Sequence, residues 1–424
     1  MRRSWAWAQR LSSSCPCRRS WFERIHGKKK ILFVDDEPNV LSGLRRTLRD
    51  QRKQWEMDFV GAGQEALAKI DEAYYDAVIT DMRMPGMDGA ELLDRIAERH
   101  PYVIRVVLSG QSDQASVMKT VGPAHQYLSK PCEIETLKAT LARAFSLREL
   151  LGEGRLKSLV SGMRALPSLP LLYSELLNLV QDPNSSVADV GRLIAKDPAM
   201  TAKILQLVNS AFFGLGRRVS NPLEAASLLG LEILNPLVLS AGIFKQFEAS
   251  EIDDRIFSMD ALWSHSSRVG ALAKLIAKEE EMGSPAVEDS LLAGMLHDIG
   301  KLILVVNQPA EYAQLKQASA DAAEQMLAEK EIFGTTHGAV GAYLLGLWGI
   351  PQSIVEAVAL HNQPGLQGER ALSVLSVVHV ANALVHAMDG DASLEKLIDH
   401  EYIEQLKLAE RVAVWKDLAG AAEL

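Results

Sequence analysis

Cysteine is scarce in this chain of 424 residues: only Cys15, Cys17 and Cys132 occur. Three cysteines cannot build a disulfide framework, and the Cys and His spacing is not that of a zinc finger. A reducing, cytoplasmic setting is expected. No apolar run is long enough to cross a bilayer, so no membrane anchor is expected. A surplus of positive charge is also missing outside the first 30 residues. The net charge is −9, and residues 1–30 hold nine Lys or Arg against Glu23 alone, so they contribute +8 and the remainder −17. A nucleic-acid interface built on a basic face is therefore disfavoured, and no basic recognition helix is evident. The basic start, residues 1–28, lacks the apolar core of a secretion signal and reads as a disordered extension, as an over-extended start site would leave.

What is present, first, is an alternation of short buried-strand patterns with helical ones. The runs Ile31 to Val34, Ala77 to Thr80, Val103 to Leu108 and Gln126 to Leu128, with a weaker one at Met57 to Val60, read as five strands. Helical patterns between and after them predict a doubly wound α/β domain over 29–150 with a five-stranded parallel sheet. A helical linker is expected over 151–165. From residue 166 to 390 strand signal is almost absent and amphipathic stretches broken by Pro and Gly predict an all-α domain, followed by a helical tail over 391–424. The expected helices include Leu223 to Leu229, Ile233 to Phe247 and one long helix from Ala310 to Lys330, and a break is expected at Gly300-Lys301. Asp197-Pro198 reads as a helix start, with Asp as cap and Pro in the first turn.

Second, Asp35, Asp36, Asp81, Ser109 and Lys130 each fall where a predicted strand runs out. Ligands of parallel sheets collect at the carboxyl ends of strands, so these five residues are expected to converge. Three carboxylates together are unfavourable without a cation, and Mg²⁺, with its hard oxygen ligands, resolves the repulsion. A carboxylate so placed can attack a phosphoryl donor, with Lys130 and Ser109 answering the phosphoryl oxygens. An Asp pair at a strand end can also merely cap the next helix, but that bland reading does not account for all five residues in order.

The quoted segments Phe33-Val34-Asp35-Asp36-Glu37, Asp81 to Gly89, Leu108-Ser109-Gly110 and Leu128-Ser129-Lys130-Pro131 resemble the receiver domain of bacterial response regulators. The resemblance implies Asp81 as phosphoacceptor, with Asp35, Asp36, Asp81 and the backbone carbonyl of Arg83 around Mg²⁺. It also implies Ser109 and Tyr127 as switch residues, Lys130 as phosphate partner, and a sensor histidine kinase or phosphotransfer protein as donor. Ile134 to Leu151 would be the mechanical link to the second domain.

In the all-α region, Gly294 to Lys301 contains His297-Asp298 at a helix end, a pair suited to Zn, Mn or Fe. Together with Leu166 to Pro170, Ile194 to Leu205, His337 to Ala342, Leu347 to Pro351 and Leu360-His361-Asn362, it resembles the HD superfamily of metal-dependent phosphohydrolases. The closer likeness is to its HD-related output branch, HDOD. The resemblance implies a remnant cluster of His265, His297, Asp298, His337, His361, Asn362 and Asn382. Asn362 and Asn382 stand where active relatives have His and Asp, and Asn is a poorer ligand for a divalent cation. The expectation is a non-catalytic output module without metal that acts on a downstream protein partner or as a homodimer. The alternative is an active metal-dependent phosphohydrolase or cyclic di-GMP phosphodiesterase under receiver control. His379, His386 and His400 read as ordinary structural or surface histidines.

Overall fold

The structure, a computed structural model, describes residues 28–109, 123–149, 185–209, 218–239, 256–318, 322–367 and 371–421, with 160, 167–168, 175–176, 178–179, 182 and 245–246 between them. The N-terminal extension and nearly all of the expected linker lie outside the described residues. The first domain is an all-parallel sheet in the order β2-β1-β3-β4-β5, formed by β1 (Lys29–Val34), β2 (Trp55–Val60), β3 (Ala77–Asp81), β4 (Ile104–Ser109) and β5 (Gln126–Ser129). Helices α1 (Pro38–Thr47), α2 (Gly63–Glu72), α3 (Gly89–Arg99) and α4 (Ile134–Glu149) accompany it. Residues of β1 and β3 are buried on both faces, which is why the sequence shows apolar runs there rather than alternation.

The second region is helical, as expected: α5 (Val187–Ile194), α6 (Pro198–Val208), α7 (Pro222–Leu239), α8 (Met259–Glu279), α9 (Ser284–Leu296), α10 (Ile299–Asn307), α11 (Pro309–Ala318), α12 (Ala322–Phe333), α13 (His337–Leu347), α14 (Gln352–Leu360) and α15 (Val374–Asp389). Asp197 caps α6 by accepting from the amides of Ala199 (2.8 Å) and Met200 (3.1 Å). The two helices expected around Gly230 form one segment interrupted by that residue in the left-handed region, φ 69°.

Three expectations need correction. Lys245–Gln246 is extended and pairs with Pro167–Ser168, so strand stands where the helix Ile233 to Phe247 was expected to end. The single helix Ala310 to Lys330 is two, α11 and α12. The chain does not break at Gly300; α10 starts one residue earlier and runs on. Gly300 is there because α10 crosses α13 backbone to backbone, and a Cβ at Gly300 would collide with the His337 carbonyl. Because nothing on that side can yield, Gly300→Ala is expected to cost about 1–3 kcal/mol or more of unfolding free energy. Urea denaturation of the metal-free protein would read that loss, and an unchanged midpoint would contradict it.

The tail belongs to the helical core. Beyond α16 (Leu394–Leu397) and α17 (His400–Gln405), Trp415 of α18 (Arg411–Ala421) is fully buried and donates through Nε1 to Glu280 Oε1 at 2.8 Å. The two domains also pack on each other, through α4 and the start of β5 on one side and α6 and the end of α13 on the other. Gln126 donates to the Gly346 carbonyl (3.4 Å), Arg143 to that of Ile350, and Gln206 to that of His125 (3.1 Å). No helix among the described residues is long and apolar enough to cross a membrane.

Candidate functional site

At the carboxyl edge of the sheet, three strands bring three side chains to one point. Lys130, just past β5, donates from Nζ to Asp35 Oδ2 (2.7 Å), which follows β1, and is ion-paired with Asp81 at the end of β3. Asp35 and Asp81 are almost wholly buried, while Asp36 is exposed. Backbone amides complete the cradle: Glu37 N–H donates to Asp35 Oδ1 and Arg83 N–H to Asp81 Oδ2, both at 2.9 Å. Burial pushes the Asp81 carboxyl above the ordinary aspartate range despite the hydrogen bond from Lys130. For Lys130, burial works against the charge, but the bonds to Asp35 and Asp81 outweigh it and the pKa is raised. The arrangement favours the charged ammonium, and the exposed Asp36 leaves one side open to solvent.

Three carboxylates at neighbouring strand ends are the hard oxygen donors that suit Mg²⁺. Gly89 shows why the loop after β3 needs a glycine. Its N–H donates to the Met82 carbonyl (2.9 Å), and a Cβ would strike the Asp81 carbonyl. Tyr127 is buried in the sheet's second core with Met84, Val107 and Ala124. Ser109 closes β4 opposite Ser129. The Ser109 side chain lies outside the described part of the structure.

In the helical domain the expected histidines do converge. His297 caps the end of α9 and Asp298 the start of α10, with Asp298 at the centre. From Asp298, His337 Nε2 lies at 3.2 Å, His297 Nε2 at 3.4 Å, His361 Nε2 at 3.8 Å and His265 Nε2 at 4.0 Å. Lys301 Nζ donates to the same carboxylate at 2.7 Å. Two rings are oriented from behind: His297 Nδ1 faces the Gly294 carbonyl (2.7 Å) and His361 Nδ1 that of Val358 (2.9 Å). A carbonyl only accepts, so those Nδ1 atoms carry a proton and the Nε2 atoms point inward. That is how metal-binding imidazoles are held. His297 Nε2 is buried with no hydrogen-bond partner, at the middle of the cluster.

Asn382 Oδ1 lies 3.0 Å from His265 Nε2, and Asn362 Nδ2 lies 2.8 Å from His361 Nε2 and 3.3 Å from His337 Nε2. Both asparagines therefore sit inside the cluster, as aligned from sequence, and both are neutral there. Against the penalty of burial, His297 and Lys301 hold the Asp298 carboxyl well below the usual range. Burial pushes His265 down to about 3.

The comparisons with known proteins agree with this division. The response regulator receiver domain family matches residues 31–142. Regulatory protein VanRB of Enterococcus faecalis is 31% identical over a region that takes in 36% of this chain and 73% of that protein. The chain belongs to the response-regulator family. The HDOD domain family matches this response regulator over residues 166–364. A Treponema pallidum protein, described only as uncharacterized, is 26% identical over 55% of this chain and 44% of its own length, so the chain spans less than half of that relative. Among solved structures, the MmoQ response regulator of Methylococcus capsulatus has 26% identity, covers 59% of this chain and 98% of its own, and gives a TM-score of 0.45.

Sequence reasoning passed over three groups in this response regulator. Glu329 of α12 is fully buried and faces His337 Nδ1 with both oxygens, at 2.7 and 2.8 Å, while accepting the His337 amide at 2.8 Å. In sequence it sits among Glu, Lys and Gln on what looks like a solvated helix, so only its separation of eight residues from His337 hinted at a role. His379, read as ordinary, braces the cluster: its Nδ1 faces the His361 carbonyl (2.7 Å) and its Nε2 accepts from Asp399 N–H (2.9 Å). His386 lies beside His265 with ring centroids 4.4 Å apart and planes tilted by 38°, and its Nδ1 faces Asp391 Oδ2 at 2.7 Å.

Burial alone would lower the His337 pKa, but Glu329 and Asp298 reverse this and raise it to about 9. A histidine raised above its unfolded value of about 6.5 stabilises the fold fully below that pH and loses the contribution as pH climbs through about 9. Stability of the metal-free response regulator is therefore expected to fall by up to about 3 kcal/mol between those limits. Glu329→Gln is expected to flatten that slope. Denaturant midpoints across the range would test this, and an identical slope in the variant would contradict it.

Proposed function

We propose that Asp81 accepts a phosphoryl group from a histidine kinase or phosphotransfer protein and that the HDOD domain relays the event through protein contact without turning over a substrate. The observation that carries the first half is Lys130 shared between Asp35 and Asp81 at the carboxyl ends of three strands. Asp35, Asp36, Asp81 and the Arg83 carbonyl would hold Mg²⁺, which offsets the charge that phosphorylation adds, about −1.5 to −2. Lys130 would then face the phosphoryl oxygens, with Ser109 and Tyr127 as the switch residues. The second half rests on Asn362 and Asn382, which bring neutral amides to positions where a hydrolytic site needs anionic or imidazole ligands. The test is uptake of one phosphoryl group from acetyl phosphate with Mg²⁺, together with no hydrolysis of cyclic di-GMP or nucleotides. Sustained metal-dependent turnover would overturn the non-catalytic half.

A second reading concerns metal without turnover, and the buried, unpartnered Nε2 of His297 favours it. The ligand atoms of Asp298, His337 and His361 lie within 4.8 Å of one another, as do those of His265, His297 and Asp298. Imidazole with one carboxylate suits Zn²⁺ or a neighbouring transition metal, so the donor set fits although the sequence led to an expectation of none. His337 would give up its extra proton on binding, with Glu329 keeping its ring oriented. Such an ion would lock the junction of α9, α10, α13 and α14.

A further inference from the structure

We infer that α13 links the two sites, so that phosphorylation at Asp81 changes metal affinity at the histidine cluster and the metal changes the phosphorylated state in return. The inference rests on the phosphoacceptor reading and the metal reading above. It comes from where α13 begins and ends. Its first residue, His337, stands 3.2 Å from both Asp298 Oδ1 and His361 Nε2. Ten residues on, about 15 Å along the axis, its last turn is the seat of the receiver. The Gly346 carbonyl accepts from Gln126, Leu147 fills the space a Cβ at Gly346 would need, and Arg143 donates to Ile350 just beyond.

Gln126 is the first residue of β5, and Lys130 follows the last. One four-residue strand, about 13 Å long, therefore joins the ammonium shared by Asp35 and Asp81 to the seat on α13. A phosphoryl group on Asp81 competes with Asp35 for that ammonium and pulls on the strand from its far end.

The helix is fitted so that a pull is not absorbed. A Cβ on Gly338 would lie 2.8 Å from the Val358 carbonyl oxygen, and one on Gly341 would lie 3.2 Å from the Gly300 amide nitrogen. The contacts at Gly338 are with backbone alone, and the side chains that join the Gly300 backbone at Gly341, Ile299 Cγ2 at 3.0 Å and Val358 Cγ1 at 3.2 Å, are β-branched and stiff, so α13 moves as a unit or not at all. Moving it shifts His337 against Asp298 and His361, which lie on other helices. The element with two positions is thus α13 on its seat, and each site biases it through a contact at one end.

Linkage of this kind is reciprocal and typically alters affinity about 5- to 150-fold. The test uses the metal-stripped full chain titrated with Zn²⁺ against a competing chelator, with and without Mg²⁺ and beryllofluoride, whose uptake at Asp81 is followed by mass or fluorine resonance. A zinc Kd that differs at least about 5-fold between the two states supports the linkage. The difference should vanish in Gly346→Leu and in the receiver-side pair Gln126→Ala with Arg143→Ala, which leaves the helical domain unaltered should Gly346→Leu fail to fold. Equal Kd values in the two states overturn the linkage and leave the metal reading standing. Failure to find a zinc site that His361→Ala removes overturns the metal reading and the linkage with it. Absence of beryllofluoride uptake overturns the phosphoacceptor reading and likewise the linkage.

Discussion

Asp81→Asn is expected to abolish phosphoryl uptake altogether while leaving the fold in place. The attacking atom must be a carboxylate oxygen, and an amide of the same shape has no comparable lone pair to offer. Folding should survive because Asn keeps the volume of Asp and can still accept from the Arg83 amide, and Lys130 retains its second partner, Asp35, at 2.7 Å. Incubation with acetyl phosphate and Mg²⁺, followed by intact-mass measurement, should show one added phosphoryl group on the wild type and none on the variant. Equal labelling of both proteins would mean that another residue takes the phosphate, and the exposed Asp36 would be the first to examine. Burial raises the Asp81 carboxyl, so labelling of the wild type should also fade on acidification sooner than for an ordinary exposed aspartate.

Asp298→Ala is expected to cost about 3–5 kcal/mol, the price of removing one partner from a buried charged network. The carboxylate is 2% exposed and stands against Lys301 and against His337, whose pKa Glu329 and Asp298 raise to about 9 over the penalty of burial. Without it, Lys301 and His337 lose the carboxylate they share, and Glu329 is left as the partner of His337. That loss is a large share of the 5–15 kcal/mol by which domains are commonly stable. The helical domain should therefore melt early, reported by the buried Trp263, Trp348 and Trp415, while the receiver, with Trp55, should unfold close to its wild-type midpoint. A loss under about 1 kcal/mol would show that solvent or rearrangement replaces the carboxylate. Under the metal reading, zinc binding measured on the same variant should disappear with it.

The receiver sheet and its acidic edge were legible because both depend on short-range pattern. Buried parallel strands are apolar throughout, helices between them return the chain in one sense, and polar residues that end such strands must meet at one edge. Asp35, Asp81 and Lys130 needed nothing more. The helix start at Asp197-Pro198 was readable for the same reason, since a cap acts within three residues. Legibility failed in the helical domain where burial is complete. The segment after Gly300 is apolar on nearly every side and so shows no helical period, which concealed α10. Glu329 looked solvated because a buried carboxylate is recognised only by its partner.

By itself, then, the sequence determined a doubly wound receiver with Asp35, Asp81 and Lys130 at its strand ends, an all-α second domain, and the residues of a histidine cluster with Asn362 and Asn382 beside it. Tertiary structure alone decided that four imidazoles converge on Asp298, that Glu329 and His379 brace them, and that Gln126 meets Gly346 across 220 residues of chain. The physical reason is range. Capping, strand pattern and loop chemistry act within a few residues, whereas these contacts are set by how whole helices stack, and at α13 by glycines whose missing side chains matter only once another backbone lies against them.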